Sequence, residues 1–350
     1  MVKFFGVQEL IEVLRTIGVE QFLSSLIRYT REDFLRWQKF EKSARLASHS
    51  ANGVIELMPT SDGELYSFKY VNGHPINTQF RKLTVTAFGV LADVRSGYPL
   101  LLSEMTISTA LRTAATSALA GSCLARRGSN VMALIGLGAQ AEFQALAFKA
   151  AVGIKQLRVF DVDPAAVAKF GINMRGRGLD VIATDSVASA AKGADIVTTA
   201  TASKRNAVIL TSDMIGPGVH INAIGGDCPG KTELERELLE RGRIFVEYLP
   251  QSRVEGEIQQ LPVDSGMITE LWEVLAGKRP GRVSAADVTI FDSVGFAIED
   301  FSLLRYLYDL SSTLELHQEI DLVPTLEDPK DLFGLLRVER PDSPRASKVG

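Results

Sequence analysis

The chain has 350 residues, 46% of them hydrophobic and 23% charged, with a formal net charge of −4 and a pI near 5.7. That length exceeds one ordinary core and suits two domains, and the acidic balance excludes the basic stripe of a nucleic-acid binder. Two cysteines, Cys123 and Cys228, cannot build a disulfide framework. No Cys/His cluster, including His49, His74, His220 and His317, has metal-binding spacing, and no run reaches the roughly 18 apolar residues of a membrane span. A cytoplasmic protein without a metal or a nucleic-acid partner is expected.

In chain order, Val7 to Tyr29 reads as one amphipathic helix, its apolar positions interrupted by Glu9, Glu12 and Glu20. Strand-like runs follow at Arg45–Ser50, Gly53–Met58, Glu64–Val71, Leu83–Asp93 and Tyr98–Ser103. The pairs Asn52-Gly53, Asp62-Gly63, Asn72-Gly73 and Ser96-Gly97 separate them, which predicts an antiparallel meander. In Leu65–Val71 the alternation puts Lys69 with Leu65, Ser67 and Val71, opposite Tyr66, Phe68 and Tyr70. Arg45 and Glu56 also sit among apolar neighbours. An inward charge is costly unless paired or ligand-binding, and an exposed edge or an Arg45–Glu56 salt bridge is the plainer explanation. An Ala-rich helix spans Ser108 to Arg126.

Val131–Ile135 then enters Gly136-Leu137-Gly138-Ala139-Gln140-Ala141, a Gly-x-Gly-x-x-Ala run, with a helix from Ala139 to Val152 stopped by Gly153. In a dinucleotide fold Gly136 makes the tight turn, Gly138 admits the pyrophosphate and a small third residue keeps the helix near its strand. Strand Gln156–Phe160 ends in Asp161, 25 residues after Gly136 (161 − 136), near the roughly 20 expected for the acid that binds the adenosine ribose. A carboxylate there favours NAD over NADP, although Asp161, with Asp163 and Pro164, could simply cap the next helix.

Beyond it come strands Leu179–Ala183, Asp195–Ala200, Val219–Ile224, Arg243–Tyr248 and Val288–Phe291. They alternate with helices from Asp185, near Thr211–Met214, at Thr232–Arg241, near Ser252–Gln260, at Met267–Ala276 and at Gly295–Ser312. This predicts a Rossmann-type doubly wound parallel sheet beside the antiparallel β-rich domain. The β-rich domain is assigned to 1–125, completed by about 315–350, and the dinucleotide domain to 128–314. The tail Arg340–Gly350 reads as loose. Thr201, Asp227 and Ser293 fall at carboxyl strand ends, on one rim.

The run Gly225-Gly226-Asp227-Cys228-Pro229-Gly230-Lys231-Thr232-Glu233-Leu234 has no evident packing explanation, and an acid among glycines and a proline is the leading candidate for a catalytic acid/base. The N-terminus of a helix at Thr232 would favour its ionised form, whereas burial would raise its pKa. Cys228 reads as a small buried thiol, and the plain reading of Lys231 is a helix-end surface lysine.

That run, with Lys69-Tyr70-Val71-Asn72-Gly73-His74-Pro75, Ser103-Glu104-Met105-Thr106, Leu111-Arg112-Thr113-Ala114-Ala115 and Phe291-Asp292-Ser293-Val294-Gly295, resembles the ornithine cyclodeaminase/mu-crystallin family over nearly the whole chain. The Asp-Cys-Pro-Gly-Lys segment and the ending around Ile320-Asp321-Leu322-Val323-Pro324 resemble its cyclodeaminating branch more than its relatives.

The resemblance implies conversion of L-ornithine to L-proline and ammonia, with NAD borrowed and returned. It implies that Asp227 shuttles protons, that Arg45, Lys69 and Arg112 hold the α-carboxylate, that Glu56 lies toward the amine end and that Val294 borders substrate. Cofactor contacts are implied at Thr84, Arg112, Gly136, Gly138, Ala139, Gln140, Asp161, Thr201, Ile224, Gly225, Gly226, Asp227, Lys231 and Ser293. A lysine cyclodeaminase, a one-way amino-acid dehydrogenase or imine reductase, and a crystallin-like binding protein remain open. Only the last would have no use for Asp227. Meander edges and the face of Tyr66, Phe68 and Tyr70 predict a homodimer through the N-terminal domain.

Overall fold

The computed structural model describes residues 1–201, 207–263 and 268–337; the loose tail expected at Arg340–Gly350 lies outside them. β1 (Val2–Phe5) leads into α1 (Val7–Ile17) and α2 (Val19–Leu35). The single helix expected over Val7–Tyr29 is broken at Gly18, whose φ of +86° is not helical. The two pieces turn separate apolar faces inward, Leu10 and Val13 on one, Phe22, Leu23, Leu26 and Phe34 on the other.

The meander is β2 (Leu46–Ser50), β3 (Gly53–Ser61), β4 (Leu65–Gly73), β5 (Val85–Asp93) and β6 (Pro99–Glu104), antiparallel throughout. Asn72-Gly73 is not a turn as expected. It extends β4, and the chain reverses instead through a 3-10 segment, Pro75–Phe80. Along β4, Ser67, Lys69 and Val71 are buried while Tyr66 is exposed and Phe68 and Tyr70 half-buried, so the period-2 reading holds.

After α3 (Thr106–Leu124) the strand-helix alternation runs β7 (Val131–Ile135), α4 (Ala141–Val152), β8 (Gln156–Phe160), α5 (Pro164–Asn173), β9 (Asp180–Ala183), α6 (Val187–Ala191), β10 (Ile196–Thr199) and β11 (His220–Ala223). It continues with α7 (Arg236–Arg241), β12 (Arg243–Val246), α8 (Leu249–Glu255), β13 (Ile268–Glu270), α9 (Leu271–Leu275), β14 (Thr289–Asp292), α10 (Ala297–Leu314) and β15 (Gln318–Ile320).

Two sheets result. The first has the order β15-β1-β6-β5-β4-β3-β2; the second, parallel throughout, has the order β13-β12-β14-β11-β10-β7-β8-β9. This is the expected doubly wound sheet with a separate, mainly antiparallel one. The strand order reverses between β7 and β10, where open α/β sheets bind ligands. Helix α10 packs across β3, β4 and β5 and against α2 and α3. It buries Phe301, Leu303, Leu304 and Leu307, each contributing about 1.5–3 kcal/mol by burial.

One apolar core is continuous from Met58, Leu91 and Leu101 through Leu111 and Phe301 to Met132 and Phe148. A second, with Ile135, Val197, Ile221, Leu238 and Ile290, fills the other face of the parallel sheet.

Several boundaries differ from expectation. Helix α4 begins at Ala141, because Gly138 to Gln140 form the phosphate-type turn. Residues 232–235 are extended, with Leu234 bridged to Leu210, so α7 starts only at Arg236. Ile268–Glu270 form a strand and α9 begins at Leu271, Met267 lying outside the described residues. The terminal strands β1 and β15, too short to carry a period, were not expected.

Candidate active site

At the switch point β7 feeds the glycine turn. Gly136 has φ +95°, and a Cβ there would sit 2.6 Å from the Ala200 carbonyl oxygen, so both backbone conformation and space require glycine. Gly138 and Ala139 are exposed, and a Cβ on Gly138 would meet only open space. Gln140 keeps its Oε1 buried without a hydrogen-bond partner. Asp161, just past β8, accepts from Leu137 N at 2.6 Å and from Asp163 N at 2.9 Å. The helix cap proper is Asp163, which accepts from Ala165 N. Asp161 therefore braces the turn and retains free lone pairs. An open turn, an orphaned amide oxygen and an acid at the end of the second strand suit a dinucleotide with free ribose hydroxyls.

A buried cluster of charged side chains lies where α10 crosses the meander. Lys69, 1% exposed, donates to Asp300 at 2.8 Å. Arg112 from α3 pairs with Glu299 at 2.6 Å and with Asp300 at 3.1 Å. Burial, helped by the Arg112 charge, lowers Lys69 to about 8 despite Asp300. Burial also pushes Glu299 up to about 8, against the attraction of Arg112.

Arg45 donates to Glu56 at 3.1 Å and to the carbonyls of Val294 and Gly295 at 2.7 and 2.9 Å, with Glu255 3.1 Å from its Nε. The Arg45–Glu56 salt bridge thus exists, but in a buried setting: their side chains are 9% and 11% exposed. Gly295, at φ +77°, is required because a Cβ would collide with the Arg112 guanidinium.

Asp227 stands past β11 with its side chain 53% exposed, pairing with Lys231 at 3.1 Å. Lys231 is buried, not a surface lysine. Burial disfavours its ammonium, but the carboxylates of Asp227 and Glu233 outweigh that and hold its pKa above the usual value. Because α7 begins at Arg236, its N-terminus does not follow directly on Asp227 as expected.

The glycines before Asp227 do have a packing explanation, contrary to the expectation from sequence. A Cβ on Gly225 would overlap the Glu233 carboxylate, and one on Gly226 would lie 2.5 Å from Glu257 Oε1. Glu233 accepts from the backbone and hydroxyl of Thr201, and Glu257 accepts from Glu233 N and Leu234 N. Carboxylates therefore lace the rim strands together beneath the loop. Ser293 donates to buried Glu247 at 2.5 Å, and Ile224 N donates to Thr199 O.

The geometry brings together Arg45, Glu56 and Val294; Lys69 and Arg112; Asp227 and Lys231; and the turn with Asp161. Thr84 lies ahead of β5, its carbonyl accepting from His74 N. The carboxylates Glu233, Glu247, Glu255, Glu257, Glu299 and Asp300 were not anticipated. An acid in a mainly apolar run marked Glu247 and Glu299-Asp300, the latter within Ala297–Leu304, whereas Glu233, Glu255 and Glu257 lie in polar runs that carry no such signal.

The model of the ornithine cyclodeaminase/mu-crystallin family matches residues 7–314. The ornithine cyclodeaminase of Brucella suis biovar 1 (strain 1330) is 58% identical over 336 residues, covering 96% of this chain and 94% of that protein. Among solved structures, a lysine cyclodeaminase studied for recognition of L-lysine, L-ornithine and L-2,4-diaminobutyric acid superposes with TM-score 0.88 at 28% identity, covering 95% of this chain and 99% of that one. An archaeal alanine dehydrogenase dimer with bound NAD gives TM-score 0.84 at 29% identity, covering 92% and 99%.

Proposed function

The chain belongs to the ornithine cyclodeaminase/mu-crystallin family, and we propose that within it the protein is an ornithine cyclodeaminase, converting L-ornithine to L-proline and ammonia with NAD. The observation that carries this reading is Asp227, a half-exposed carboxylate on the rim that also bears the dinucleotide turn, near a buried cluster of cations and carboxylates. NAD, when bound, supplies the oxidation and re-reduction of the substrate α-carbon.

The chain's own residues do the rest. Asp227 takes a proton from the α-amine and later returns one, a task for a single carboxylate at the open edge of the site. Arg45, Lys69 and Arg112 supply positive charge for the α-carboxylate, while Glu56 offers an anion to the side-chain ammonium. Gly136, Gly138, Ala139 and Gln140 cradle the pyrophosphate and Asp161 holds the ribose. Thr201, Ile224, Gly225, Gly226, Asp227, Lys231, Ser293, Thr84 and Arg112 would also contact the cofactor, and Val294 would border the substrate.

The β-rich unit is residues 1–125 with the C-terminal segment, and the packing of α10 on β3, β4 and β5 supports counting that helix with it as well. Leu46, Leu57, Tyr66 and Phe88 leave an exposed apolar face on its outer side, 64%, 41%, 39% and 44% exposed, with Phe68 and Tyr70 between them. Such a contiguous face supports a homodimer.

The test is incubation with L-ornithine and NAD while proline, ammonia and reduced cofactor are measured together. Equal proline and ammonia without lasting reduced nicotinamide fits the reading. Stoichiometric reduced cofactor with a keto or imino product would establish a one-way dehydrogenase.

A further inference from the structure

One carboxylate of the buried cluster around Arg45 has no part in the reading above. Glu255 closes α8, is 8% exposed, and has an Oε2 atom that makes no regular hydrogen bond but lies 3.1 Å from Arg45 Nε. Arg45 is thereby held on three edges, by Glu255, by Glu56 and by the carbonyls of Val294 and Gly295. Two carboxylates, Glu56 from β3 and Glu255 from α8, flank one guanidinium, and the charge of Asp227 acts on both Arg45 and Glu255. One positive charge neutralises only one of the two. The surplus anion suits an ammonium.

The chemistry, which rests on the cyclodeaminase reading, needs such a group. L-Ornithine arrives with two ammonium groups. The α-ammonium must lose a proton before the α-carbon is oxidised, and the side-chain ammonium must lose another before its nitrogen can attack. Both protons are then held until ammonia has left and the α-carbon of the cyclic imine has taken its hydride back. Asp227 can hold one.

We propose that Glu255 is a second proton acceptor, taking the proton of the substrate's side-chain ammonium while Asp227 serves the α-amine. The N–H bond breaks with its electron pair left on nitrogen. That pair forms the bond to the oxidised α-carbon. The ring nitrogen then gives up a second proton to the α-nitrogen, which departs with its bonding pair as ammonia while the pair freed on the ring nitrogen closes the carbon–nitrogen double bond, and the borrowed hydride returns to the α-carbon. The two held protons pass to the ammonia and to the ring nitrogen, so charge and atoms balance. Burial first, and then the charges of Glu56 and Asp227 against the opposing pull of Arg45, place Glu255 at about 7, where it can both take and return a proton near neutrality.

The test compares wild type with Glu255→Gln in stopped-flow with L-ornithine and NAD. In the variant, oxidation should outrun ring closure. Reduced nicotinamide then builds up transiently, kcat falls by about 100-fold or more, and KM changes little. The wild-type acid limb of kcat near pH 7 should vanish. Glu255→Asp, which keeps a carboxylate on a shorter arm, should recover part of kcat. Thermal melting checks that both variants fold. In the free protein with carboxyl-labelled glutamate, one resonance titrating near pH 7 should be missing from Glu255→Gln.

A raised KM without any transient would make Glu255 only a support for Arg45 and overturn the proposal, as would near-native kcat. If Glu255→Gln does not fold, a wild-type profile with no acid limb near pH 7 overturns it equally. A wild type that makes no proline would instead remove the cyclodeaminase reading itself.

Discussion

Asp300 bridges two buried cations, and Asp300→Asn tests what that pairing is worth. Its carboxylate is 1% exposed and faces both Lys69, at 2.8 Å, and Arg112, at 3.1 Å. Removing one partner of a buried pair costs about 3–5 kcal/mol, because the other charge is left unpaired. Here part of that is cushioned. Glu299 is already 2.6 Å from Arg112, and it ionises more readily once the like charge of Asp300 is gone. Lys69 has no such replacement, so a loss near the lower end, about 3 kcal/mol, is expected, a large share of the roughly 5–15 kcal/mol of a typical domain.

The loss should depend on pH. Folded Lys69, at about 8, lies below the roughly 10.4 of an unfolded lysine. The unfolded chain therefore binds the extra proton. Wild-type stability from this group is full above about pH 10.4 and is lost as pH falls toward 8. In Asp300→Asn the folded value drops further, so the decline continues to lower pH, and the gap from wild type narrows in alkaline buffer. Urea melts at pH 7 and pH 9 measure it, and Lys69→Met in the same background should recover about 1–3 kcal/mol. A pH-independent loss under about 1 kcal/mol, or strict additivity of the two substitutions, would refute the reasoning.

Asp227→Asn should keep NAD binding nearly intact while turnover falls by about 100-fold or more, since the amide cannot cycle a proton; calorimetry and initial rates report the two separately. Asp161→Ser should weaken NAD, because the turn loses its brace at Leu137 N, yet narrow the preference over NADP by removing repulsion toward a 2′-phosphate. Equal affinity of the unaltered protein for both cofactors would leave Asp161 as a brace alone. Phe68→Asp, placing a charge in the outer apolar face, should shift sedimentation toward monomer with the melting curve still cooperative. A wild type that sediments as a compact monomer at all concentrations would remove that interface.

The doubly wound sheet was readable because its signals are local: apolar runs, Gly136 and Gly153 at turns, Asp161 at a strand end. The meander was readable for the same reason, since period-2 alternation in Leu65–Val71 fixes which side Lys69 faces. What stayed hidden depends on contacts distant in sequence. Asn72-Gly73 looked like a turn but lies in a strand, because pairing with Val54 and Val85 outweighs turn propensity. The glycines before Asp227 gave no sign of the Glu233 and Glu257 carboxylates that fill the space beside them. Asp300, 231 residues from Lys69, could not be matched to it by spacing. Apart from the Arg45–Glu56 pair, the candidate site was thus legible as single chemical groups, whereas the other pairings required the packing of α10 against the meander and the reach of Glu255 from α8 to Arg45.

The most direct measurement of the central claim follows a single atom. L-Ornithine deuterated at the α-carbon, turned over with unlabelled NAD, should yield proline that retains the deuterium on its α-carbon, with ammonia equal to proline and no label in free reduced cofactor. Proline that has lost the label to solvent, or deuterium accumulating in released reduced nicotinamide, would contradict the account.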